Sequence, residues 1–201
     1  MLVYGASGHA KVIIEALLAS GGEVSAVVDD NEAIKTLLHI PVSGKYSEAL
    51  CPGVPRIIAI GSNQTRKKIA ERLVCTYGTV LHPTGWISPT ARVGEGTVIM
   101  GNVIVQADTQ IGRHVILNTS SSIDHDCIIH DFAHISPGAV VCGGVTVGEG
   151  TQVGAGATVI QNIKIGKWVT IGAGSVIIND IPDHAIVMGV PGRVVRVEKP
   201  D

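Results

Sequence analysis

The chain has 201 residues, 45% of them hydrophobic, and a formal net charge of −2. That is enough apolar material for one domain or two small ones, which excludes a disordered or fibrous class, and its scattered lysines and arginines exclude nucleic acid and an anionic membrane surface as partners. Only 3% of residues are aromatic against 25 glycines, a balance that is poor for an ordinary globular core and suits narrow, repeated corners.

The chain opens on Leu2-Val3-Tyr4-Gly5 without a basic, apolar leader, and no apolar run is long enough to cross a bilayer. A cytoplasmic location and a small-molecule partner are expected. Cys51, Cys75, Cys127 and Cys142 lack paired metal-ligand spacing, so reduced thiols are the expectation.

Residues 1–80 read as a small α/β unit, with strands over 2–4 and 24–28, a helix over 10–19, a strand over 57–60 and a second helix over 65–77. Alternating strands and helices predict a parallel sheet that receives ligands at the carboxyl ends of its strands. The turn Gly5-Ala6-Ser7-Gly8-His9 lies at such an end, where free N–H groups and the helix dipole favour a phosphate. It carries two glycines of a dinucleotide fingerprint without a clean third, and Asp29 follows at the spacing of a ribose-binding acid. The unit is about half a Rossmann domain with no hydride-transfer site after it, so a mononucleotide-type pocket fits better than NAD. The bland alternative is that these glycines let a helix pack on a sheet.

From Ile87 an aliphatic residue recurs at every sixth position through Val93, Ile99, Val105, Ile111, Leu117, Ile123, Ile129 and onward to Ile177. Four places after each stand mostly small or β-branched residues, such as Ala91, Thr97, Cys127, Ala133, Ala157 and Ser175. A period of six is neither helical nor a lone strand; it predicts a short strand and a turn, repeated, with three hexads closing a triangular coil. Gly94, Gly112, Gly148, Gly154, Gly166 and Gly172 follow the aliphatic residue and are expected at corners that need tight or left-handed backbone.

The [LIV]-G-x4 pattern resembles the hexapeptide-repeat acyltransferases, which implies a left-handed parallel β-helix after the Rossmann-like unit. An inert or ice-binding-like solenoid would share the repeat. The glycine loop, the Asp29-Asp30 strand end and the coils together resemble the sugar acyltransferases of the PglD, NeuD and PerB type. That resemblance implies two units, 1–80 for the nucleotide-sugar and 81–201 for acyl transfer. It assigns Ser7, Gly8, His9, Asp29, Asp30 and Gly61 to the acceptor, and acetyl-CoA as co-substrate.

Asn118-Thr119-Ser120-Ser121-Ser122-Ile123-Asp124-His125-Asp126-Cys127 departs from the glycine-turn repeat and gathers polar groups. Transfer from a thioester to an amine needs a base, and a histidine beside a carboxylate suits that work. By resemblance His125 is the base and Asp126 the acid that raises its basicity. His134, half a coil on, and Asn118 would contact the acetyl group of acetyl-CoA. A competing zinc site, as in γ-class carbonic anhydrases, would use His125 and His130, but Pro89 stands where the third histidine belongs. No metal is expected, and His114 and His130 read as solvated corner residues.

Small residues would form a low wall for pantetheine, and the resemblance selects Gly143, Ala155 and Ala173. Residues 179–193 resemble the segment that caps such solenoids, and relatives imply a homotrimer with CoA between neighbouring solenoids. The function implied is N-acetylation of a nucleotide-linked amino sugar such as a UDP- or GDP-linked 4-amino sugar, serving surface glycan synthesis. O-acetylation of a sialic acid or another sugar is the alternative.

Overall fold

The computed structural model describes residues 1–199. Strand β1 (Leu2–Tyr4) leads through the glycine turn into α1 (Gly8–Ala19), then β2 (Ala26–Val28). A short antiparallel hairpin follows, β3 (Thr36–Leu37) and β4 (Ile40–Pro41), and then β5 (Arg56–Ile58), α2 (Asn63–Arg72) and β6 (Val80–Leu81). The three-stranded parallel sheet has the order β2-β1-β5, in register from Leu2 against Ala26 and Arg56. The expected elements are present with shifted ends: α1 starts two residues earlier and α2 ends at Arg72, five residues short of the expected limit. Ser62 caps α2 by accepting from the N–H of Thr65, and the helix closes before Tyr77 because Leu73 turns extended.

Ala10, Ile13, Ile14, Ala16 and Leu17 of α1 are buried, and they join one continuous core with Val80, Val98 and Ile99 of the solenoid. Each inward Ile, Leu or Val contributes about 1.5–3 kcal/mol of transfer free energy, so the seam between the two units is held as firmly as either interior.

Sixteen two-residue strands run from Trp86–Ile87 to Val176–Ile177 and stack as three parallel sheets. The first face holds Trp86–Ile87, Ile104–Val105, Ser122–Ile123 and their successors; the second begins at Arg92–Val93; the third begins at β6 and continues through Val98–Ile99, Ile116–Leu117 and His134–Ile135. The hexad period therefore starts one unit earlier than Ile87, at Leu81. Its inward residues, such as Ile99, Ile123, Ile135 and Val147, are fully buried, as are the small partners Thr97, Cys127, Ala133 and Ala157.

The corner glycines act differently from expectation. From Val93 to Ile171 the left-handed backbone falls three places after each aliphatic residue, at Gly96, Asn102, Asp108, His114, Ser120, Asp126 and Phe132, and so on to Gly174. Gly94, by contrast, has no positive φ; a Cβ there would lie 2.6 Å from the carbonyl carbon of Gly112 in the next coil. Those glycines serve close approach between coils.

The solenoid ends on Ala185–Met188, parallel to Thr170–Ile171, and Arg193–Val197 folds back antiparallel on it. This is the expected closing segment; Pro200 and Asp201, at the end of the 81–201 unit, lie outside the described residues.

Candidate active site

Residues 124–127 turn the chain from the first face into the second, and Asp126 occupies the left-handed position with φ 58°. That backbone tolerates Asp better than most residues. It points the carboxylate back along the corner, where Asp126 Oδ2 lies 2.7 Å from His125 Nδ1. The backbone N–H of His125 donates to Asp124 Oδ1 at 2.8 Å, which holds the preceding carboxylate beside the ring.

With Nδ1–H donating to Asp126, Nε2 is left with a free lone pair, the tautomer a general base requires. The hydrogen bond to Asp126 first, and the charge of Asp124 next, raise the His125 pKa above its ordinary value. A raised pKa keeps the ring protonated to higher pH, so the acid limb of an activity profile sits above the pKa of free histidine. Asp126→Asn is expected to move that limb of kcat/KM to lower pH and to lower the plateau rate. An unmoved limb would show that Asp126 does not set the basicity of His125.

His125 opens on a cavity of about 450 Å³ lined by Asp124, Asp126, Gly143, Gln161 and Asn162. Its ring lies against Gly143, where a Cβ would fall 2.7 Å from Cε1 and Nε2. Gly144 N–H is used by His125 O at 2.9 Å, whereas the N–H of Gly143 finds no acceptor among the described residues. An imidazole lone pair and a free N–H thus meet in one cavity, a pairing suited to taking a proton while holding a developing oxyanion. The neighbouring thiol is not a nucleophile: burial pushes Cys127 up to about 11, and its Sγ donates to Cys142 O at 3.2 Å.

The other candidate residues gather elsewhere. Asn118 Nδ2 and His134 Nε2 lie 3.1 Å apart on the third face, and the His9 ring centroid is 6.4 Å from that of His134. The corner bearing His125 joins the first and second faces, so in a triangular coil it lies opposite the third. Ala155 and Ala173 sit where the third face turns into the first. The candidate residues thus fall in two groups: His125, Asp126 and Gly143 on one corner, and His9, Asn118 and His134 across the prism.

In the glycine loop after β1, Gly5 has φ 113° and no room for a Cβ, which would sit 2.7 Å from Ile60 Cδ1. Asp29 Oδ2 accepts from the N–H of Ala6 at 2.6 Å and its Oδ1 from the N–H of Asn31 at 2.8 Å, so this acid fastens the loop to the end of β2. Ser7 makes no side-chain cap on α1, and space is open at Gly8 and Gly61, leaving backbone donors free for an anion. Asp30 faces other partners: it accepts from Tyr4 Oη at 2.8 Å and pairs with Arg72 at 3.6 Å. Burial first, and that bond second, push Tyr4 up to about 12.

Among the described residues no group of three or more His, Cys, Asp or Glu side chains could hold a metal ion, and no helix is long and apolar enough to cross a membrane.

Residues 1–73 match the PglD N-terminal domain, and 126–161 and 144–179 match the six-repeat bacterial transferase hexapeptide model. A histidine-substituted perosamine N-acetyltransferase from Caulobacter crescentus, solved with CoA and GDP-perosamine, superposes with a TM-score of 0.92 at 35% identity, covering 100% of this chain and 96% of that one. The chain belongs to the PglD-type sugar acyltransferases. The acetyltransferase domain of PglB from Neisseria gonorrhoeae, solved with acetyl coenzyme A, is similar at TM-score 0.89 and 35% identity, covering 96% and 98% of the two chains. UDP-N-acetylbacillosamine N-acetyltransferase of Bacillus subtilis is 42% identical over 109 residues, 49% of this chain and 50% of that protein. The chain spans about half the length of the curated relatives it matches. The fold is the left-handed parallel β-helix with an N-terminal α/β unit that the repeat implies.

In this PglD-type transferase, sequence reasoning missed Arg66, Asn63, Gln161 and Asn162. Arg66 reads as one of three successive cations on α2, yet only 1% of it is exposed. His114 is a correction of the opposite kind: it is 4% exposed, stacked on Phe132 with centroids 5.1 Å apart and edge-on to Tyr77 at 4.4 Å. Docking of the N-terminal unit covers its corner, whereas His130 stays exposed.

Burial, followed by the charge of Arg66, pulls His9, His114 and His134 from 6.5 down to about 4. Unfolding lets these rings take up protons between those values, so their contribution to stability is complete above about pH 6.5 and declines toward pH 4. The urea midpoint should fall over that window. His114→Phe, which also removes a buried Nδ1 without a partner, should flatten the fall; an unchanged slope would contradict the assignment.

Proposed function

We propose that the protein transfers the acetyl group of acetyl-CoA to the amino group of a nucleotide-linked amino sugar, with His125 as general base. The observation that carries this is the His125–Asp126 pair at 2.7 Å, with His125 on a cavity that Gly143 also lines. The amine nitrogen attacks the thioester carbonyl as its proton passes to His125 Nε2, and the oxyanion is held by backbone donors. The carbon–sulfur bond then breaks, and the thiolate leaves with the proton that the imidazolium returns. No covalent enzyme intermediate is required.

On this reading Asp126 orients and strengthens His125. Gly143, Asn118, His134, Ala155 and Ala173 contact acetyl-CoA, and Ser7, Gly8, His9, Asp29, Asp30 and Gly61 receive the nucleotide-sugar. Residues 1–80 hold the acceptor and 81–201 perform the transfer. The location of the two half-sites on opposite sides of one prism supports a homotrimer, because a neighbouring copy can set its His125 corner against the His134 face. The relatives solved with CoA and GDP-perosamine support the substrate class. Acetyl-CoA and nucleotide-sugars as substrates support a cytoplasmic enzyme.

The test is thiol release from acetyl-CoA with UDP- and GDP-linked 4-amino sugars, using sialic acid as the hydroxyl control. Release with an amino sugar alone is the expected result and names the nucleotide. Release with sialic acid alone would make the protein an O-acetyltransferase, and no release with any acceptor would overturn the reading.

A further inference from the structure

Among the described residues Arg66 is the largest fully buried side chain, and none of their carboxylates is bonded to it. Its guanidinium is consumed by oxygens from two sides of the molecule. Nε donates to His114 O at 2.8 Å and one terminal nitrogen donates to Phe132 O at 2.7 Å, both on solenoid corners. The other terminal nitrogen donates to Ile60 O at 3.0 Å and Gly61 O at 3.3 Å, where β5 ends in the acceptor crevice, and the fork also reaches Asn63 Oδ1 at 2.8 Å. Asn63 extends the link, donating from Nδ2 to Gly150 O at 3.0 Å on the next corner up.

A rigid planar fork with five N–H donors can hold carbonyls from two bodies in one fixed relation, which the point charge of a lysine cannot. Desolvating a guanidinium without an anionic partner is costly. Arg66 meets that cost where the end of the Ile57–Gly61 segment meets the solenoid. Its charge also lies close enough to His9, His114 and His134 to depress all three.

We propose that Arg66 is a positioning residue that locks the acceptor-binding unit onto the solenoid, setting Gly61 and His9 at the distance from the His134 face that acceptor binding requires. This rests on the acetyltransferase reading above. It predicts a selective defect: the residues assigned to acetyl-CoA all belong to the solenoid, whose coils Arg66→Lys leaves stacked, while the acceptor is held out of place.

The experiment uses the full chain with Arg66→Lys, which keeps the charge and loses the fork, and the milder Asn63→Ala. For Arg66→Lys the KM for the amino sugar should rise on the order of ten- to a hundredfold, the effect of a displacement near 1 Å, with KM for acetyl-CoA within about twofold of wild type. Asn63→Ala should shift the same constant by less. A fall in kcat with both KM values unchanged would show loss of folded enzyme only and would overturn the proposal.

Hydrogen exchange gives a readout independent of turnover. Residues 60–66, 114 and 132–133 should exchange faster in Arg66→Lys while the solenoid interior keeps its protection, and unchanged exchange at these positions would also overturn it. If wild-type protein shows no turnover, the acetyltransferase reading fails, and the exchange result alone then decides whether Arg66 is the lock.

Discussion

His125→Ala is expected to lower turnover by a factor on the order of 10² to 10⁴ while leaving the fold and the affinity for acetyl-CoA near those of the parent protein. The ring is at an exposed corner, with 60% of its side chain accessible, and its ring nitrogens bond within the chain only to Asp126. The ladder at this position is carried by the backbone, where His125 O accepts from Gly144 N–H at 2.9 Å. The imidazole therefore contributes little to stability, so its loss should show in turnover rather than in the melt. Thiol release and thermal melting on the same sample separate the two. Unchanged turnover with an intact melt would remove His125 as the base, and residual activity should lose its acid limb.

Gly143→Ala is the second large effect and reaches the same chemistry through space. The equivalent hexad positions hold Ala107, Ala155 and Ala173, so the solenoid itself accommodates a Cβ there, and Gly143 has no positive φ to strain. Gly143 differs because the His125 ring lies beneath it, 2.7 Å from where the methyl would be. An exposed ring yields more easily than a backbone, so the imidazole should swing aside. Turnover is expected to fall on the order of 10²-fold, as for a catalytic group displaced by about 1 Å, with melting shifted little. Full activity would mean that the ring works from another position; a collapsed melt would mean that the glycine serves the coil.

The solenoid was legible because burial imposes its period directly: inward aliphatic residues must recur wherever the coil returns, and from Ile99 to Ile177 every sixth residue is buried. The left-handed corners were not, since His114, Phe132 and Trp168 take that conformation although none is a turn former. Ladder bonds on both sides impose it, as when His114 N–H donates to Glu95 O at 2.9 Å. The division of the site was half legible. His134 follows His125 by half a coil, which is the far side of a triangle, while Gly143 follows it by a whole coil and lies directly against it. Arg66 had no local signal, because its burial is decided by partners 48 and 66 residues away.

The register of the prism separates length from chemistry. From Val80 to Ile177 each rung pairs residues one coil apart, as Ser122 with Val140 and Val140 with Thr158, so each coil there is interchangeable with its neighbour at the backbone. Duplicating one whole coil beyond Asn162 rejoins strand to strand in phase and leaves His125, its carboxylate and Gly143 where they were. What changes is the height of wall available to the donor's long arm. Recombination within the repeat can therefore lengthen the berth for an acyl carrier without breaking the ladder that holds it.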